Sequence, residues 1–270
     1  MLTEVQAQAY LDRVGYDGPL DRSLESLRAL QRTHVFSVPF ENLDIHLGRH
    51  IPVDVAHAYD KVVGNHRGGY CYELNPLFHA LLTCLGYDTK MISAQILLRD
   101  DGHPFDHVTT IVHLDDDWLV DVGFGRQPPL IQVARDNENA TSNENGTFKI
   151  HFRDGEFVVM ASTDDGNYED LYGFGLTRRT LSEFEERSEW IQTSPESIFT
   201  KAPICTLPTE NGRVTISGLN YIKSEGGRVE VSEVTSEERD ELLSSVFGIE
   251  LGDAKISDKA DISWIPGRGL

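Results

Sequence analysis

Apolar positions recur at helical spacing through the first third of the chain and at strand spacing through most of the rest. Thr3 precedes a run with Val5, Tyr10, Leu11 and Val14 on one side, and Ser23 precedes another with Leu24, Leu27 and Leu30, so each predicts a capped helix. The clearest stripe is Leu74, Leu77, Phe78, Leu81, Leu82 and Leu85, stopped by Gly86, which predicts a buried helix. Pro76 removes a donor inside it and moves the expected helix start toward Asn75. From about Tyr87 the period shortens. "MISAQILL", "HVTTIVHL", "WLVDVGFG" and "TFKIHFRDGEFVVM" read as strands, the last folded at the Asp154-Gly155 hairpin signal. The stretch from Asp136 to Gly146 is polar and predicts a loop. "TLSEFEERSEWI" predicts a helix, "RVTISGLNYIKSEGGRVEVSEV" short strands, and Thr235 with Glu238 a capping box opening a last helix.

At 270 residues and 39% hydrophobic content the chain can bury a substantial core. No run approaches the ~18 apolar residues of a membrane span, and "MLTEVQAQAYLDRVG" lacks the basic and then apolar pattern of a signal peptide, so a cytoplasmic protein is expected. Three cysteines, Cys71, Cys84 and Cys205, argue for reduced thiols rather than a disulfide framework. The acceptor-like tripeptides at Asn139 and Asn145 then read as accidents of a polar loop. A formal net charge of −20 repels nucleic acid and anionic membrane, and opposes any phosphorylated ligand that lacks a local basic site.

Cys71 stands in "RGGYCYELN", after two glycines that permit close backbone approach and at the head of the apolar helix. A buried cysteine there can be a small hydrophobe, the reading that suits Cys84. A helix N-terminus, however, points N–H groups at the sulfur and favours its nucleophilic, anionic form. A reactive cysteine needs a base, and the base an orienting group. His107 begins one strand, Asp121 ends the next, and a turn around 113–117 folds them together. A register symmetric about residue 114 sets the two directly opposite, with Cβ atoms ~5 Å apart. A shift of a residue or two removes that opposition. Cys71, His107 and Asp121 thus stand as candidate nucleophile, general base and imidazole orienter. His103 and His107 have ligand-like spacing, but Pro104 denies them a shared helical face and no metal site is expected. His34, His46 and His113 read as scaffold or surface residues, and "HLDDDW" as a solvated turn. "GFG" at 123–125 reads as a place where backbone approaches a ligand.

"PFENL" at 39–43, "RGGYCYELN" at 67–75 and "DVGFG" at 121–125 together resemble the signature segments of the arylamine N-acetyltransferases, in this order and at about these spacings. The resemblance spans essentially the whole chain and thins past about residue 190. It implies an α+β fold: an N-terminal helical bundle over 1–88 carrying Cys71, a central β-barrel-like domain over 89–195 carrying His107 and Asp121, and a C-terminal α/β lid over 196–270, around a cysteine-protease-like catalytic core. It further implies a Cys71–His107–Asp121 triad, a structural ion pair of Glu41 with Arg67, and an acceptor pocket lined by Phe40 and Phe124. Read alone, Glu41 and Arg67 are two separate solvated charges. The implied activity is ping-pong transfer of an acetyl group from acetyl-CoA to an arylamine or hydrazine, without a metal, in xenobiotic metabolism. Lys201, Arg213 and Lys223 are candidate positives for the CoA phosphates. The residues themselves leave two rivals: a hydrolase or transglutaminase-like enzyme with the same triad, and a binding module in which Cys71 is no more reactive than Cys84. They leave the oligomeric state open.

Overall fold

In the computed structural model, which describes residues 1–259 apart from 127, 136–138, 144–145, 164 and 227, the helical third begins with α1 (Glu4–Val14) and α2 (Leu24–Ser37). Thr3 and Ser23 cap them as expected, each side-chain oxygen accepting an N–H that the first turn would leave orphaned. Val5 departs from expectation: it is exposed, and Tyr10, Leu11 and Val14 carry the buried face. The chain continues through β1 (Phe40–Glu41), α3 (Leu43–His46), α4 (Val55–Tyr59), a π turn over Asp60–Gly64 and α5 (Cys71–Cys84). α5 starts at Cys71 rather than near Asn75, so Pro76 lies inside its second turn. The missing N–H is outweighed by burial, since Leu74, Leu77, Phe78, Leu81 and Leu82 are all fully inside. Gly86, at φ +85°, ends the helix in the left-handed conformation that glycine adopts without strain.

Eight strands follow: β2 (Asp88–Ile96), β3 (His107–His113), β4 (Asp117–Val120), β5 (Ile131–Gln132), β6 (Thr141–Asn143), β7 (Gly146–Arg153), β8 (Glu156–Ser162) and β9 (Tyr168–Phe174). They form one sheet in the order β5-β4-β3-β2-β9-β8-β7-β6, curled until β5 meets β7 in a nearly closed, barrel-like shape. β3 is buried on both faces, with Val108 and Val112 against the helical core that includes α5, and Ile111 inside the barrel. By the two-residue period of a strand, His107 shares the barrel face with Ile111. Thr141–Asn143, expected in a loop, pairs with β7 as a strand; Asn145 and Asp136 lie outside the described residues. The Asp154-Gly155 hairpin forms as expected, both residues at positive φ.

A 3-10 turn (Leu181–Phe184) and α6 (Glu185–Thr193) return to the helical core, where Phe184 and Ile191 are buried. After α7 (Ile198–Lys201), strands β10 (Ile204–Thr209), β11 (Gly212–Ser217), β12 (Asn220–Glu225) and β13 (Arg228–Glu233) form an antiparallel sheet with β1, in the order β1-β10-β11-β12-β13. α8 (Ser236–Phe247), opened by the Thr235 and Glu238 capping box, packs Leu243 and Phe247 on Cys205 and Ile216 of that sheet. No helix of the described residues is long and apolar enough to cross a membrane.

Candidate active site

The start of α5 is fixed from several sides. Gly69 N–H donates to the Pro39 carbonyl at 3.2 Å, and Glu41 N–H to the Gly69 carbonyl at 2.9 Å, so the segment before Cys71 lies along β1. Gly68 makes this possible, because a Cβ there would stand 2.0 Å from the Pro39 oxygen. Tyr70 N–H donates to Glu73 Oε2 at 3.2 Å. By helix geometry the N–H groups of Cys71 and Tyr72 have no intrahelical acceptor and project from the same end as the sulfur.

Cys71 is buried, with Sγ 3.9 Å from the Asp106 carbonyl and its side chain within hydrogen-bonding reach of His107. His107 Nε2 lies 2.7 Å from Asp121 Oδ2, which leaves Nδ1 as the ring atom for the cysteine. The three predicted residues are therefore together, but the register that joins two of them is not the expected one. Thr110 pairs Val120 and His113 pairs Asp117, a hairpin symmetric about residue 115, which moves Asp121 two residues away from direct opposition. Asp121 lies just beyond the end of β4, where the chain leaves the ladder, and its carboxylate reaches His107 diagonally.

Five donors converge on that carboxylate. Oδ2 accepts from His107 and from the Tyr172 hydroxyl at 2.8 Å; Oδ1 accepts from Asn75 Nδ2 at 2.8 Å and from the Gly123 and Phe124 N–H groups at 3.0 Å. Burial acts to raise the Asp121 pKa, but the charge of His107 and these hydrogen bonds prevail and hold it low. For His107, burial acts to lower the value, yet the Asp121 carboxylate and the Cys71 side chain push it up to about 10, so the ring carries a proton at neutral pH.

Asn75 links the pieces. One helical turn after Cys71, it also donates to the Val108 carbonyl at 2.6 Å and accepts from Val122 N–H at 2.9 Å, which locks α5 to β3 and to the loop that follows β4. Gly123 of "GFG" permits a close approach within the protein itself: a Cβ there would stand 2.8 Å from the Cys71 Cα. Gln31 holds the far side of the loop, donating to the carbonyls of Asp121 and Pro128 at 3.3 and 2.8 Å.

Phe124 packs its ring on His107 and Tyr172, and Phe40 packs on Phe199; both are nearly buried. Glu41 and Arg67 are not solvated charges. They pair at 2.8 Å within a buried cluster that also contains Asp44, Lys61 and Glu73, three residues to which the sequence drew no notice. Arg213 is also corrected: it is buried and donates to the Gly125 carbonyl at 2.6 Å, so it is not displayed to CoA phosphates, whereas Lys201 and Lys223 are exposed. His34 and His46 serve as scaffold, bonded to Tyr10 and the Phe199 carbonyl, and exposed His113 pairs with Asp117 in the turn. His103 is exposed while His107 is buried, and among the described residues no three His, Cys, Asp or Glu side chains are placed to hold a metal.

Of the residues that build the site, sequence reasoning missed Asn75, Tyr172 and Gln31. Asn75 carried a signal, the four-residue helical step from Cys71; Tyr172 and Gln31 are joined to the site only by the fold.

Comparison with known proteins gives one consistent result. A family model described as N-acetyltransferase matches residues 23–256. Arylamine N-acetyltransferase 1 of Oryctolagus cuniculus is 31% identical, over 94% of this chain and 98% of that protein. The solved arylamine N-acetyltransferase from Mycobacterium abscessus is similar in structure at a TM-score of 0.83 and 29% identity, covering 93% of this chain and 92% of its own. The Mycobacterium marinum arylamine N-acetyltransferase solved in complex with CoA gives a TM-score of 0.82 at 26% identity, covering 90% and 92%.

Proposed function

From the premise that this chain belongs to the arylamine N-acetyltransferase family and is an acyltransferase, we propose that it moves an acetyl group from acetyl-CoA to an arylamine or arylhydrazine by a ping-pong route through an acetyl-cysteine at Cys71. The observation that carries the reading is the buried His107–Asp121 contact at 2.7 Å beside Cys71 at the head of α5.

The Cys71 thiolate attacks the thioester carbonyl, and N–H groups at the start of α5 stabilise the oxyanion. The tetrahedral adduct collapses, the carbon–sulfur bond to CoA breaks, and the His107 imidazolium protonates the leaving thiolate. Neutral His107 then takes a proton from the amine as it adds to the acetyl-cysteine, and the second collapse releases the amide and restores the thiolate–imidazolium pair. Asp121 keeps the ring oriented and stabilises its charge. An arylamine suits the second step because its low basicity leaves it neutral near pH 7 and its flat ring can lie between Phe40 and Phe124. Glu41 and Arg67 act behind the site as structural charges.

In this reading segments 1–88, 89–195 and 196–270 are the units that supply the nucleophile, the His–Asp pair and the covering sheet. A cytoplasmic location accords with three free thiols, and the charge of −20 is adverse to nucleic acid. The test is intact-mass analysis after mixing with acetyl-CoA without amine. Addition of a single acetyl group that maps to the Cys71 peptide is the expected result; an unmodified Cys71, or acetyl on another residue, contradicts it.

A further inference from the structure

The two phenylalanines assigned to the acceptor pocket belong to different parts of the fold. Phe40 is in the helical core and Phe124 in the barrel core. A pocket between them has a defined width only if something fixes one against the other. Phe40 is the register partner of Thr206 on β10, and Thr206 lies beside β11, whose Arg213 is buried. Arg213 Nη1 donates to Thr206 Oγ1 at 3.1 Å and to the carbonyl of Gly125, the residue after Phe124, at 2.6 Å. Thr206 Oγ1 is itself held by Thr215 Oγ1 at 2.7 Å. One nitrogen, on a residue 88 positions from Gly125 in the sequence, thus connects the strand partner of Phe40 to the backbone next to Phe124.

A guanidinium is a costly choice for that bond. Burial and the nearby Arg126 charge bring the Arg213 pKa down to about 10, while Arg126 itself pairs with Glu169 on β9. If the sheet needed only filling, an aliphatic side chain would fill it without desolvating a charge. What the arginine adds is reach and a charge-assisted bond to one carbonyl of the site loop.

Building on the transferase reading of this site, we propose that Arg213 is a positioning residue that straps the Phe124–Gly125 backbone to the C-terminal sheet and so sets the gap between Phe40 and Phe124, and with it the width of the arylamine accepted. Without the strap the loop retains its holds on the other side, Asn75 and Gln31, so Asp121 stays tied while Gly125 is released. The consequence falls on acceptor selectivity in the second half-reaction.

The test compares kcat/KM for a one-ring amine, 4-methylaniline, with that for a two-ring amine, 2-aminonaphthalene, in wild type and in Arg213→Gln, with thermal unfolding as the folding control. The ratio should move toward the two-ring amine by about tenfold or more, the range over which a pocket discriminates by fit. It should move further than the rate of the CoA burst does. Arg213→Lys, with charge but no fork, should shift the ratio less, and Thr206→Val, which removes one anchor, should shift it in the same direction. Should Arg213→Gln fail to fold, these two carry the test. A folded variant whose ratio is unchanged, or one slowed equally with both amines, overturns the proposal. If wild type releases no CoA burst from acetyl-CoA, the transferase reading has failed instead, and the two failures are distinct.

Discussion

Glu73→Gln is expected to stabilise the protein at alkaline pH although it removes one member of a buried ion cluster. Glu41, Asp44 and Glu73 supply three carboxylates and Lys61 and Arg67 two cations, all almost wholly buried; Arg49, half-exposed at the rim, reaches Asp44 at 3.4 Å. Lys61 Nζ is shared among the three acids, at 2.9 Å from Asp44, 2.9 Å from Glu73 and 3.4 Å from Glu41. Shared attraction holds the lysine pKa high despite burial. Glu73 fares differently: burial raises its pKa, the pull of Lys61 opposes, Glu41 raises it again, and the balance stands at about 7 against an ordinary 4.5. A carboxyl whose pKa is raised on folding binds its proton more tightly in the native state. Its contribution is complete below the unfolded value and is lost as the pH climbs through about 7. The loss amounts to roughly 3 kcal/mol once Glu73 is fully ionised. Glutamine is permanently neutral and retains an acceptor for Tyr70 N–H, so it escapes that loss. After allowing for the weaker bond to Lys61, the variant should exceed wild type by ~1–3 kcal/mol above about pH 8.5, or several degrees in Tm, and match it near pH 5. Thermal unfolding of both proteins across that range decides the matter. A variant less stable by a constant amount at every pH would refute the reasoning, because Glu73 would then be ionised throughout and held by Lys61 at a net profit.

Three further outcomes follow from the same geometry. Asp121→Asn should stay folded by thermal unfolding yet lose ~10⁴-fold in acyl transfer, since whichever way the amide turns its NH2 faces donors, including the His107 ring on one side; near-normal turnover would remove Asp121 from the mechanism. Gly123→Ala should lower turnover by ~10²-fold with a smaller effect on Tm, because a Cβ 2.8 Å from the Cys71 Cα forces the Asp121 loop away from α5; unchanged kinetics would show that the close approach has no bearing on the site. Iodoacetamide at neutral pH should label Cys71 ahead of Cys205, whose thiol is pushed well up by burial and by Glu41, and ahead of Cys84, as peptide mapping can show; earlier labelling of either competitor would deny Cys71 its activation by His107.

How far the sequence could be read depended on whether the signal was local. The caps at Thr3, Ser23 and Thr235 and the Asp154-Gly155 turn act within a few residues, and each formed where it was expected. The β3–β4 register was missed by two residues because its turn is a run of aspartates with no glycine to mark the centre; the Leu114 N–H bond to the Asp116 carbonyl that sets it is not written in residue type. The His107–Asp121 pair tolerated the error because Asp121 lies past the ladder. Pro76 misled in the opposite direction, as its local cost was outweighed by the apolar face of α5. Lys61, Asp44 and Glu73 look like surface charges one at a time and become a cluster only when α3, α5 and the turn after α4 converge around Glu41 of β1. Arg213 shows the same limit, since a sequence displays the charge of an arginine but not its burial.

The central claim, an acetyl-cysteine that waits for an amine, is tested most directly by following free CoA after acetyl-CoA is mixed with the enzyme alone. On the proposed mechanism, in which Phe40 and Phe124 limit access of water and an arylamine is required to reach the carbonyl, about one equivalent of CoA per active site should appear in a burst, followed by a near stall that ends when arylamine is added. CoA released steadily at an undiminished rate without amine would make the protein a hydrolase, and no burst at all would contradict acyl-enzyme chemistry with this donor.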